Sequence, residues 1–123
     1  MRTDLNYASL PVWEQMMEYV RAIYQLTGRF PGDEKDGLTR KLRDKAVEIP
    51  VLFASGTVGK PGPESKNNLV QASQALIETE TLLLVCKHLA YVQDREFDDF
   101  KEKILAISKE LYQLSSKINR NFK

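Results

Sequence analysis

The residues with the most chemical promise are basic. Arg40, Lys41, Arg43 and Lys45 form the densest positive cluster in the chain, interrupted by Asp44 and followed by Glu48. On a helix, Arg40 and Arg43 share one face while Lys41 and Lys45 share another. A second group, Lys117, Arg120 and Lys123, lies at the other end of the sequence with no acid among them. Such patches offer contact to phosphate oxygens. The plainer alternative is a solvated face that also complements the negative end of a helix dipole.

Acid–base and nucleophilic chemistry finds less support. His88 is the single histidine and Cys86 the single cysteine. His88 falls near the end of a helical run, where its charged form suits the dipole, and no Cys–His or Ser–His arrangement is evident. Cys86 sits inside LLLVCKHLAYV, so a buried structural thiol is expected, and one cysteine excludes an intrachain disulfide. Glu78 and Glu80 lie among apolar neighbours, but two apart on a helix they point in different directions. Ion pairs, with Arg40 or Arg43, are the expected role. A di-iron site in a helical bundle needs a Glu-x-x-His motif on each of two helices, which a chain with one histidine lacks. SGTVGKPG has its glycines too close together for a phosphate loop, and Pro61 stands where the hydroxyl belongs. No enzyme, metal or cofactor is expected from these residues.

The elements that must position these groups are all helical. The 123 residues suit one domain, 1–123, with 42% hydrophobic and 28% charged residues and a formal net charge of +1. That balance gives no global pull toward nucleic acid or membrane, so any such partner needs a local patch. Every proline and glycine lies at or before Pro63, and no stretch alternates long enough for a strand. The start MRTDLNYASLP lacks a signal-peptide core, and no apolar run reaches the about 18 residues of a spanning helix, so a cytoplasmic protein without membrane contact is expected.

The spacing predicts four helices, at about 10–28, 36–56, 63–91 and 94–121. The first opens near Ser9 to Pro11 and turns Trp13, Met16 or Met17, Val20, Ile23 or Tyr24, and Thr27 inward, with Gly28 at its C-terminal boundary. Asp33 or Asp36 is the expected cap of the second. That helix organises the chain: Leu38, Leu42, Ala46, Ile49 and Phe53 repeat at helical spacing on both sides of Pro50. A proline inside a helix costs about 3 kcal/mol, so packing must hold a kink there or the helix must break. GTVGKPGPES follows as a flexible loop. In the third helix two rows repeat every seven residues, Leu69, Leu76, Leu83, Ala90 and Val70, Ile77, Leu84, Tyr91. This helix is expected to be covered on more than one side. Asp94 is the expected cap of the fourth, whose seam of Phe97, Phe100, Ile104, Ile107, Leu111, Leu114 and Ile118 alternates threes and fours. The fold class is all-α, an up-down-up-down four-helix bundle.

LPVWEQMMEYVRAIYQLTGRFP, GLTRKLRDKAVEIP and IETETLLLVCKHLAYV, in this order and spacing, resemble the small four-helix-bundle proteins encoded by intervening sequences of 23S rRNA genes. The accessory variability proteins of diversity-generating retroelements are similar to that family too. The match covers roughly Leu10 to Lys123, and its most specific parts are the FP–GLT–LR–A–IP pattern and the paired glutamates before LLL. The resemblance implies a ring-like homopentamer, no established enzymatic activity and, for the retroelement branch, binding of nucleic acid and a reverse transcriptase. This chain reads IPVLFASG where the family usually reads IPSNIAEG, so Val51, Leu52 and Ser55 replace polar positions. The added apolar bulk makes Val51, Leu52 and Phe53 candidates for an oligomer interface.

The leading expectation is a non-enzymatic, homo-oligomeric scaffold that binds RNA or DNA through the basic residues at 40, 41, 43, 45, 117, 120 and 123. The binding is expected to be largely sequence-independent, because no aromatic-rich single-strand platform is evident. The alternative is a protein-binding adaptor, such as the accessory subunit of a reverse transcriptase.

Overall fold

A computed structural model of the protein describes residues 6–58 and 62–122, with side chains described as far as Lys117. Four helices follow one another: α1 (Pro11–Thr27), α2 (Leu38–Thr57), α3 (Pro63–His88) and α4 (Asp94–Phe122). Short 3-10 turns at Asn6–Ser9 and Gly32–Glu34 precede α1 and α2, and the described residues contain no strand. The helices close into a four-helix bundle: α2 and α4 each pack against both α1 and α3.

The core is built from one stripe per helix. On α4, Phe97, Phe100, Ile104, Ile107 and Leu111 are buried and Leu114 packs against them, so the seam read from the three-four spacing faces inward; the Ile118 side chain lies outside the described residues. On α2, Leu42, Ala46, Ile49 and Phe53 are fully buried, and the helix runs unbroken through Pro50. Gly56 does not stop α2; it lies buried inside the last turn. A Cβ there would stand 2.9 Å from the Ser65 carbonyl oxygen and 3.0 Å from the Leu69 side chain. Only glycine lets α2 and α3 approach this closely. The loop expected over residues 56–65 is shorter than that: Gly56 and Thr57 finish α2 and Pro63 to Ser65 open α3, and of the connection between them residues 59–61 lie outside the described residues.

On α1 the buried face is Val12, Met16, Tyr19, Ile23, Leu26 and Thr27. This corrects the expected stripe by a fraction of a turn: Trp13, Met17 and Val20 are only partly buried and Tyr24 is exposed. The reason is Tyr19, whose hydroxyl shares a 2.7 Å hydrogen bond with Thr79 Oγ1 across the bundle. A buried tyrosine needs such a partner for its polar tip. Thr79 Oγ1 also donates to the Leu76 carbonyl at 2.6 Å.

The helix ends depart from expectation in three places. Neither Asp33 nor Asp36 caps α2; instead Glu34 Oε1 accepts the Leu38 N–H at 3.1 Å. The other oxygen, Oε2, accepts the Tyr91 hydroxyl at 3.1 Å, tying the start of α2 to the turn after α3. α3 ends at His88 rather than Tyr91, because Ala90 takes a left-handed conformation at φ 66°. There the Tyr91 N–H donates to the Cys86 carbonyl at 2.9 Å and the Ala90 N–H to Lys87 at 3.0 Å. This is a Schellman closure with alanine at the position glycine usually holds. Asp94 is the first residue of α4 rather than its cap. Glu96 reaches back instead, its Oε1 accepting the Gln93 N–H at 3.1 Å, the return half of a capping box.

α3 carries the largest surprise. Leu69, Leu76 and Leu83 are buried, but Val70, Ile77 and Leu84 remain 39%, 58% and 47% exposed. The bundle therefore leaves this row of the helix uncovered. The length and apolar content of α3 also match those of a membrane-crossing helix, contrary to the sequence expectation, although the core helix of a soluble bundle has the same character. Cys86 is fully buried, and burial pushes its thiol up to about 11.

Candidate functional site

The basic residues of α2 do not present one cationic surface. Arg40 is mostly exposed and its Nε lies 3.8 Å from Asp44 on the next turn. Lys45 is held between two acids, with Nζ 3.5 Å from Glu48 and 3.3 Å from Glu78. The hydrogen bond to Glu78, aided by the Glu48 charge, raises its pKa above the usual lysine value. Glu78 thus pairs across to α2 as expected, but with Lys45 rather than with Arg40 or Arg43. Glu80, two residues on, is half-buried and adds to the upward shift of the Tyr19 hydroxyl, which burial dominates. Lys41 is exposed and forms no ion pair among the described residues. It is the member of the cluster with its charge most available. Lys117 is exposed near the end of α4; the side chains of Arg120 and Lys123 lie outside the described residues.

Arg43 is engaged differently. Its Nε donates to Thr27 Oγ1 at 2.8 Å and its Nη2 to the Tyr24 carbonyl at 3.3 Å. The guanidinium carbon lies 4.4 Å from the centroid of the Tyr24 ring. A tyrosine from α1 and an arginine from α2 therefore form one stacked unit on the surface. Sequence reasoning missed it by offering Tyr24 to the core. The detectable signal was the excess: Ile23 and Tyr24 cannot both face inward on the same turn.

The apolar candidates also separate. Val51 is 57% exposed, Leu52 is partly buried against the core and Phe53 is wholly buried. Phe53 therefore serves the bundle's own interior, against the expectation that it lies at an oligomer interface, and Val47 joins Val51 on the surface one turn earlier. These two valines border an open groove of about 480 Å³ between α1 and α2, walled by Trp13, Met17, Val20 and Pro50. This groove and the Val70–Ile77–Leu84 row of α3 are separate apolar surfaces that the bundle leaves uncovered. Among the described residues, no three His, Cys, Asp or Glu side chains gather closely enough to hold a metal ion.

An all-helical four-helix bundle with a surface-paired basic helix and two unpartnered apolar faces is the class these features define. Residues 8–113 match the family described as 23S rRNA-intervening sequence protein, and the chain belongs to that family. No curated protein matches the chain.

Proposed function

We propose that the chain is the subunit of a non-enzymatic homo-oligomeric scaffold, an up-down-up-down four-helix bundle assembled into a ring, which holds nucleic acid in the cytoplasm. The short connections between helices support the antiparallel arrangement. The observation that carries the assembly is the exposed aliphatic row Val70, Ile77 and Leu84 on α3, set apart from the second apolar face at Val47 and Val51. Two different faces on one subunit fit a head-to-tail contact, which closes into a ring when the rotation allows. Five subunits is the number that the resemblance implies.

Nucleic acid is held, in this reading, by repetition. With formal net charge +1 and Lys45 held between two acids, the two patches of one subunit keep only Lys41, Arg43, the loosely paired Arg40 and Lys117 for phosphate among the described side chains. A ring repeats them around its axis, and multivalency raises avidity without any new contact. Native mass spectrometry with and without RNA reads both claims together. A ring that takes up RNA, with affinity falling steeply as salt rises, is the expected result. Binding left unchanged by Lys41→Glu with Arg40→Glu, and by Lys117→Glu with Arg120→Glu, would sink the patches while leaving the ring. The internal pairing of Lys45 and Arg43 favours a second reading in that event, a protein-binding adaptor such as an accessory subunit of a reverse transcriptase.

A further inference from the structure

We infer that Tyr24, backed by Arg43, is a stacking position for an unpaired nucleobase, which makes single-stranded nucleic acid the preferred ligand of this face. The inference rests on the nucleic-acid reading above and gives it a substrate class. Tyr24 is 43% exposed on the last turn of α1. One face of its ring is covered by the Arg43 guanidinium at 4.4 Å, and no other aromatic ring stacks on it among the described residues. The guanidinium is itself fixed, through Nε to Thr27 Oγ1 and Nη2 to the Tyr24 carbonyl. The ring is thereby held in place before any ligand arrives, so less conformational freedom is lost when a base stacks on its exposed part.

The rest of the environment suits the phosphate that accompanies such a base. Arg43 Nη1 has no acceptor among the described residues, which leaves its N–H donors available beside the ring. Arg40 stands one turn earlier on the same face of α2, and its contact to Asp44 at 3.8 Å is loose. A duplex buries its base faces in the stack and cannot use the tyrosine, whereas every unpaired base carries a π-face. Sugar identity is not read by this arrangement, so RNA and DNA single strands share the chemistry.

The test is fluorescence anisotropy of labelled oligo(U), oligo(dT) and a blunt DNA duplex of similar length, with wild type, Tyr24→Leu and Tyr24→Trp. Wild type is expected to prefer both single strands over the duplex. Tyr24→Leu is expected to lose about tenfold on the single strands, the scale of one base–aromatic stack, and to leave duplex binding unchanged. Tyr24→Trp is expected to retain single-strand affinity and to show indole quenching beyond that of wild-type Trp13 when oligo(U) or oligo(dT) is added. Loss on only one of the two oligomers contradicts a stack that reads neither sugar and overturns the inference. Wild-type binding that Tyr24→Leu leaves intact, or weakens equally for duplex and single strand, overturns the inference and spares the scaffold reading. If Tyr24→Leu fails to fold, the Tyr24→Trp quenching decides alone. Absence of any wild-type binding at low salt removes both.

Discussion

Tyr19 and Thr79 carry two hydroxyls into the middle of an otherwise apolar core, and what each loses on mutation differs. Tyr19→Phe removes one donor–acceptor pair but leaves Thr79 bonded to the Leu76 carbonyl, so its cost is expected near 1 kcal/mol. Thr79→Val strands the Tyr19 hydroxyl in a site with no water access, and about 1–3 kcal/mol is the usual penalty for an orphaned buried group. Urea unfolding of the two variants should therefore rank Thr79→Val as the worse. Ala90 offers the opposite sign. Its left-handed backbone is disfavoured by about 1–2 kcal/mol for a residue with a Cβ, partly offset by the extra unfolded-state freedom of glycine. Ala90→Gly is expected to stabilise by roughly 0.5–1 kcal/mol, read as a higher denaturation midpoint at constant slope. A loss of stability would mean that the Ala90 methyl makes contacts worth more than the strain.

Helices whose apolar stripes repeat over several turns were legible in the sequence, because burial of such a stripe leaves little choice of face. α4 is the clearest case, and Ile107→Ala in its fully buried seam is expected to cost about 2–5 kcal/mol. The continuity of α2 through Pro50 was readable for the same reason, with Ala46, Ile49 and Phe53 buried on both sides of the ring. The ends were not fully readable, since the capping acids also answer to partners distant in sequence: Glu34 to Tyr91, and Glu96 to Arg29. The stacked Tyr24–Arg43 unit escaped on the same ground, its members being 19 residues apart on different helices. Gly56 shows a further kind of constraint. Gly56→Ala should drive α2 and α3 apart against a backbone oxygen that cannot swing aside, with a cost of about 1–3 kcal/mol in thermal unfolding. Glu96 links an element to pH. The Gln93 N–H, and after it Arg29, hold its carboxyl below the ordinary 4.5. Its stabilising effect is thus present above the unfolded value and is lost as pH falls through the lower folded value. Glu96→Gln keeps an acceptor for Gln93, so its melting temperature should fall less than that of wild type below about pH 4.5.

At the scale of the whole molecule the question is what covers the apolar surface that the bundle leaves open. Scattered exposed aliphatic residues are ordinary on a monomer, but these three fall on one helix face at seven-residue spacing. The row is not part of the bundle's own core, which Leu69, Leu76 and Leu83 serve from the adjacent face of α3. Ile77 is the central and most exposed member of the row, at 58%. Ile77→Glu should leave helix content and core packing intact while placing a charge that a dry subunit contact cannot accept. The expected outcome in sedimentation velocity is a shift from an oligomer to a folded monomer at micromolar concentration, with the circular dichroism spectrum unchanged. Val51→Glu on α2 tests the complementary face, and in a head-to-tail ring either substitution alone breaks every contact, since each junction uses one copy of both faces. Mixing the two variants then separates the geometries: a head-to-tail contact recovers one intact junction, between the unmutated α2 face of one subunit and the unmutated α3 face of the other, and yields a heterodimer. A contact of α3 with α3 instead leaves Val51→Glu fully assembled, and that result would exclude the ring built from two different faces.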